Sequence, residues 1–420
     1  MSIKLRLIIL SFLQFAVWGA YLTSMGGYLA GVGIGNNIGW FYSVQGFVSI
    51  FMPGLIGIVA DRWIQGQRLL GFCHFIAAAG MLMVAQTGMS MGAEVTFGQI
   101  FPWYVLSVAF YMPTLALSNA VSYNAIEREG LDPIKAFPPI RIFGTIGFIV
   151  SMWIVDLCGF QHSYVQFFVS ALWSIVLGCY AFTLPPCAIK PHTESKGIVE
   201  ALGLDAFKLF KQRKMALFFF FSMFLGVSLQ ITNGYANPFI SSFAAMPEFQ
   251  DVYFVDHANL LISLSQISET LCILLIPFFL KRYGIKRVML IAMVAWAFRF
   301  GFFAIGNPSF PAVTWFILSM IVYGVAFDFF NISGSLFVNN ETDSSIRSSA
   351  QGLFMIMTNG IGASIGMLIA QAVVNNFTYS QEAGGQFYTV GEWPTVWGIF
   401  AAYALLVAIF FALIFKEKNQ

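Results

Sequence analysis

The sequence predicts an all-α membrane protein with twelve transmembrane helices in two sets of six. Three observations predict it. Of the 420 residues, 58% are hydrophobic and 10% charged, against about 25% charged in soluble domains, so the main solvent is lipid. Apolar runs near the length that crosses hydrocarbon, about 20 residues, recur along the whole chain. The basic residues then fall in alternate loops only, as the positive-inside rule requires.

Taken in order, the first run, 6–29, follows Lys4 and Arg6 in "MSIKLRLIILSFLQFAVWGAYL". Basic residues ahead of an apolar stretch also open a signal peptide, but the loop charges alternate best when this segment stays as the first span. Runs 38–60, 69–88, 99–123, 138–158 and 164–184 complete the first set. After a polar gap, 215–243, 258–280, 288–306, 311–338, 347–375 and 393–415 form the second. With the N-terminus in the cytoplasm, the inward loops hold Arg62, Arg68, Arg128, Lys135, the cluster from Lys190 to Lys214, Lys281, Arg282, Lys286, Arg287 and Arg347, and the C-terminus carries Lys416 and Lys418. The outward loops hold no Lys or Arg and carry Glu94, Glu248, Asp251, Asp256, Glu382 and Glu392. A miscounted span would have put a basic loop outside. The expected organisation is a six-helix bundle over 1–184, a cytoplasmic linker over 185–214 and a second bundle over 215–420. The linker's basic end, Lys208 to Lys214, alternates with Leu and Phe and reads as a short amphipathic helix at the lipid surface.

Composition also excludes. A net charge of +2 without a basic, aromatic-interleaved cluster gives no surface for nucleic acid. Cys73, Cys158, Cys179, Cys187 and Cys272 are scattered and read as packing residues. His74, His162, His192 and His257 are expected at helix ends or in loops, without metal-ligand spacing. No metal and no cofactor are therefore expected.

The two sets look like copies of one design. "GIVADRWIQGQRLL" (57–70) and "PFFLKRYGIKRVML" (277–290) occupy equivalent loops, and "SVAFYMP" (107–113) and "GVAFDFF" (324–330) equivalent spans. Tyr111 then sits where Asp328 sits. Such repeats build carriers with a midplane substrate site at the repeat interface. The first loop resembles the Gly-x-x-x-Asp-Arg-x-Gly-Arg-Arg signature of the major facilitator superfamily through Gly57, Asp61 and Arg62, with Ile64 where the second glycine belongs. By that resemblance Asp61 and Arg62 serve gating.

Arg141, Glu269, Arg299 and Asp328 fall inside predicted spans. A charge at a helix centre costs about 2.5–3.5 kcal/mol on insertion scales, so such groups face a cavity or each other. Helical spacing shows their company. In "FPPIRIFGTIGF" (137–148), Arg141, Thr145 and Phe148 share a stripe, and Pro138 and Pro139 suit a helix start. In "LQITNGYANP" (229–238), Gln230 and Asn233 pair at i, i+3, Asn237 follows, and Gly234 and Pro238 invite a kink. In "SLSQISET" (263–270), Ser263, Gln266 and Glu269 are spaced by three. In "VYGVAFDFFNISGS" (322–335), Tyr323, Phe327 and Asn331 share a face that Asp328 borders. Arg299 lies past the middle of its span and reads as a snorkelling or structural cation. A ligand matching these groups has flat π-faces and many hydroxyls or ring nitrogens. A nucleoside meets both demands; a sugar or oligosaccharide on the same scaffold is the alternative. No protease-like or other intramembrane catalytic motif accompanies the acids, so an enzyme is not expected.

These same strings, "FPPIRIFGTIGF", "LQITN", "SQISET" and "SMIVYGVAFDFFNISGS", resemble the motifs of bacterial nucleoside–proton symporters, and the likeness extends from "LSFLQF" (10–15) through the twelfth span. The resemblance implies proton-driven uptake of nucleosides across the inner membrane by alternating access, with both termini cytoplasmic and the carrier acting as a monomer. It implies substrate binding by Arg141, Thr145, Phe148, Gln230, Asn233, Gln266, Glu269, Tyr323, Phe327 and Asp328, and proton coupling by Asp328 or Glu269. Two stretches depart from the family pattern, "WGAYLTSMGGYL" in the first span and "FYSVQGF", with Gln45, in the second.

Overall fold

In the computed structural model, which describes residues 2–187, 204–343 and 346–415, the first apolar run folds as Ile3–Gly19, with the Ser2 hydroxyl accepting from the Leu5 N–H at 3.4 Å as an N-cap does. After a turn the chain resumes as the short helix Met25–Gly31. The second to sixth spans are Ile38–Arg62, Gly66–Met91, Phe97–Arg128, Pro133–Leu157 and Val165–Ala181. The fourth opens with a reciprocal capping box between Thr96 and Gln99. The fifth begins at Pro133, so Pro138 and Pro139 lie inside it and do not start it.

The linker re-enters the described chain as the 3-10 helix Leu204–Lys211. Its Ala206 and Leu209 are buried, and the Phe210 ring meets Phe219 at 5.4 Å, so its apolar side docks on protein and not only on lipid. The rest of the linker, 188–203, lies outside the described residues. The seventh span, Arg213–Ser242, runs helical through Gly234 and Pro238 without a break. The eighth, Ala258–Ile273, resumes at Ile276, and the helical run to Ile305 is interrupted at Gly284, with φ 77° and ψ 169°. Only glycine adopts that conformation freely; it marks the turn between the eighth and ninth spans. The tenth span is Val313–Glu341. The eleventh comprises Arg347–Met355, a π-helical segment Ile356–Gly362, and Ala363–Phe377. A β-hairpin, β1 Thr378–Ala383 with β2 Gln386–Gly391, precedes the twelfth, Trp393–Ile414. Its Gly384 and Gly385 have φ 60° and 80°, as a two-residue hairpin turn demands.

Among the described residues nine helices are long and apolar enough to cross a membrane. The other three spans are the shorter or interrupted first, sixth and eighth. The chain divides into two compact units, Met1–Ile34 with Phe47–Leu202, and Gly35–Gly46 with Gly203–Gln420. In the first, the first and fifth spans pack most closely. A Cβ at Gly147 would strike the Phe12 carbonyl, the small-residue contact that lets membrane helices approach.

The centre of the first unit is a polar knot. His74, expected at a helix end, stands instead inside the third span and is wholly buried. Its Nε2 lies 3.0 Å from Gln14 Oε1 and its Nδ1 2.9 Å from Ser174 Oγ. Gln14 Oε1 can only accept, so Nε2 carries the proton; the Ser174 hydroxyl, which also donates to the His74 carbonyl at 3.0 Å, lies beside Nδ1. Gln14 Nε2 in turn donates to Thr114 Oγ1 at 2.8 Å, Thr114 donates to the Tyr111 carbonyl at 2.5 Å, and the Tyr111 hydroxyl donates to the Gln14 carbonyl at 2.7 Å. Four spans are tied by neutral groups, each with its partner.

Candidate functional site

Each unit carries part of the predicted constellation. In the first, the fifth span turns Arg141, Thr145 and Phe148 inward, half-buried or buried, while Ile142, Phe143 and Ile146 on the same helix are exposed. Helical periodicity sorts the two faces as the stripe predicts. The Arg141 guanidinium carbon lies 3.8 Å from the centre of the Phe15 ring, close enough for cation–π attraction. Gly144 leaves the room: a Cβ there would stand 2.6 Å from the Phe15 ring and 2.8 Å from Arg141 Nη1. Phe148 meets the Trp18 ring edge-on at 6.4 Å, and Trp18 meets Tyr111 at 6.1 Å.

Trp18 is a residue the sequence reading missed. Its indole Nε1 is buried with no hydrogen-bond partner among the described residues, and its ring extends the aromatic wall that Phe148 begins. The available signal was its spacing, three residues after Phe15 on the first span. Asp156 was missed as well. It is buried in the last turn of the fifth helix, inside a stretch predicted to span.

In the second unit, Tyr323 and Phe327 stack on successive turns of the tenth span, with ring centres 5.8 Å apart and planes 10° from parallel. Glu269 and Asp328 both lie within electrostatic reach of Tyr323. Asp328 is buried and Glu269 half-buried. On the seventh span the Asn233 amide donates to Gln230 Oε1 at 3.5 Å, and Asn237 donates to Asn259 Oδ1 on the eighth at 3.1 Å. Thus Asn237 knits helices together, whereas Gln230 and Asn233 pair with each other. Gln266 is buried, and its side-chain carbonyl has no hydrogen-bond partner among the described residues. Such a group costs about 1–3 kcal/mol while unmade, a cost that a donor on a ligand would offset.

Arg299 does not snorkel. It is 1% exposed. Its Nη1 donates to the Ser319 carbonyl at 2.7 Å and to Ser265 Oγ at 3.2 Å, and its Nε to Thr232 Oγ1 at 3.5 Å. The Ser319 hydroxyl answers by donating to the Arg299 carbonyl at 2.9 Å. The guanidinium carbon lies 4.6 Å from the Tyr323 ring centre and 5.5 Å from that of Phe303. Of the expected gating pair, Arg62 ends the second span half-buried, and the side chain of Asp61 lies outside the described residues.

Comparison with known proteins establishes the family. The family model described as nucleoside H+ symporter matches residues 1–420. The chain is 48% identical to the xanthosine permease of Escherichia coli K12 and 46% identical to nucleoside permease NupG of the same organism, in each case over 100% of this chain and 97% of the relative. It superposes on the crystal structure of nucleoside transporter NupG with a TM-score of 0.88 at 46% identity, covering 100% of both chains. The xylose transporter XylE from E. coli, 13% identical with a TM-score of 0.61 over 99% of this chain and 100% of that one, shares the fold alone, the twelve-helix major facilitator fold. The chain belongs to the nucleoside H+ symporter family.

Proposed function

We propose that this protein carries nucleosides inward with protons across the bacterial inner membrane, holding the nucleoside through Arg141, Thr145, Phe148, Gln230, Asn233, Gln266, Glu269, Tyr323, Phe327 and Asp328. The observation that carries this reading is the parallel Tyr323–Phe327 stack with two carboxylates, Glu269 and Asp328, in reach of its first ring. Flat rings beside acceptors suit a ligand with a π-face and hydroxyl or N–H donors. Phe148 and Phe327 stack on the base, and the amides and carboxylates hold ribose hydroxyls and base edges.

Asp328 or Glu269 takes the proton from outside. Closure around substrate changes both the hydration of the carboxylate and its distance from fixed cations, the two quantities that decide whether it holds a proton. One charge moved through the membrane field yields about 2.3 kcal/mol per 100 mV, enough to concentrate a neutral nucleoside tens-fold. The chain acts as a monomer with both termini in the cytoplasm. Counterflow in proteoliposomes with a panel of nucleosides and sugars tests the substrate class. Exchange of labelled uridine against nucleosides but not sugars is the expected result; equal or better exchange against sugars would refute it.

A further inference from the structure

The Tyr323 ring is held from three sides. Phe327 stacks below it, the Trp296 ring meets it edge-on at 5.9 Å with planes at 89°, and the Arg299 guanidinium lies 4.6 Å from its centre. The Arg299 guanidinium is itself anchored, by hydrogen bonds to the eighth and tenth spans and a longer one to the seventh. Among the described residues no carboxylate lies within ion-pair distance of it. A buried guanidinium without an anionic partner is costly in a spanning helix, and structural stapling of three helices could be done by neutral groups, as His74 and Gln14 do in the first unit. What a guanidinium adds is a flat, charged face for an aromatic ring.

We propose that Arg299 is a positioning residue of the nucleoside site, its fixed guanidinium holding the Tyr323 ring in the orientation that Tyr323 and Phe327 together present to the substrate. This rests on the reading that those two rings contact the nucleoside. Arg299 acts through Tyr323 and makes no contact with substrate. Its fork is held at Ser265 and the Ser319 carbonyl, so lysine keeps the charge at this place but not the geometry.

The test is uridine affinity, by calorimetry on the full-length purified protein, for Arg299→Met, Arg299→Lys, Tyr323→Leu and the Arg299→Met/Tyr323→Leu double variant. Melting temperature serves as the separate readout of folding. Arg299→Met is expected to weaken binding about tenfold, within what a cation–π contact can supply, with a smaller loss for Arg299→Lys. The double variant should bind no worse than Tyr323→Leu alone, because Arg299 has nothing to hold once the ring is gone. A merely structural arginine would lower the melting temperature and leave the affinity of the folded protein at the wild-type value, or its effect would multiply with that of Tyr323→Leu; either result overturns the proposal. If Arg299→Met does not fold, Arg299→Lys decides: wild-type affinity there overturns it. Wild-type affinity in Tyr323→Leu would bring down the site reading and this inference together, whereas weakened Tyr323→Leu beside unaffected Arg299 variants would bring down this inference alone.

Discussion

The two units bury polar groups in unlike ways. The first closes His74, Gln14, Ser174, Thr114 and Tyr111 into a knot of neutral groups whose donors and acceptors satisfy each other. The second buries a full cation, Arg299, against serine oxygens and aromatic rings, with two carboxylates one ring away. The same position of the repeat shows the divergence. Tyr111 spends its hydroxyl on the Gln14 carbonyl, while its counterpart in the second repeat is the carboxylate Asp328. Each half thus plants its most deeply buried basic side chain on its third helix, an imidazole in the first and a guanidinium in the second.

The contrast can be broken or sharpened by substitution. Asp328→Asn is expected to abolish accumulation of uridine driven by a pH gradient in proteoliposomes, and accumulation at the wild-type level would remove Asp328 from coupling. Arg141→Ala removes a charged hydrogen-bonding group worth about 1.5–3 kcal/mol, so calorimetry should show uridine binding weakened tenfold or more. Unchanged affinity would confine the substrate to the second unit and make the asymmetry sharper than proposed. His74→Leu leaves Gln14 Oε1 without its buried donor, while Ser174 keeps the main-chain carbonyl of residue 74, and should cost about 1–3 kcal/mol of stability, seen as a lower melting temperature. Uridine affinity should stay within about twofold, because His74 reaches the ligand-facing Phe148 only through the rings of Tyr111 and Trp18. A large loss of affinity with little loss of stability would show that the neutral knot is part of the site. Lys214→Met removes the 2.5 Å bridge to Glu341, a partly exposed pair of the kind worth about 0–1 kcal/mol, and should shift neither property measurably.

Much of this was legible from residues alone. Span length and loop charge located the helices because both follow from the bilayer, and helical periodicity placed Arg141, Thr145 and Phe148 on one inward face. What escaped depends on tertiary partners. His74 looked like an end-of-helix residue because nothing local shows Gln14 and Ser174, 60 and 100 residues away, closing around it. Arg299 looked able to snorkel because its partners Ser265 and Ser319 lie on other helices. The hairpin after the eleventh span did carry a local signal, the adjacent glycines Gly384 and Gly385 between strand-like segments, which a search for apolar spans passes over. Trp18 was hidden among 47 Phe, 15 Tyr and 10 Trp, a background in which one aromatic carries little information until its neighbours are known.

The central claim, that proton exchange belongs to the charged cluster of the second unit and not to the neutral knot of the first, is tested most directly by counting protons linked to uridine binding. Calorimetry in buffers of different ionisation enthalpy gives that number for the wild-type chain, His74→Leu and Asp328→Asn. The account predicts proton uptake on binding in the first two and none in the third. Undiminished uptake in Asp328→Asn, or its loss in His74→Leu, would contradict it.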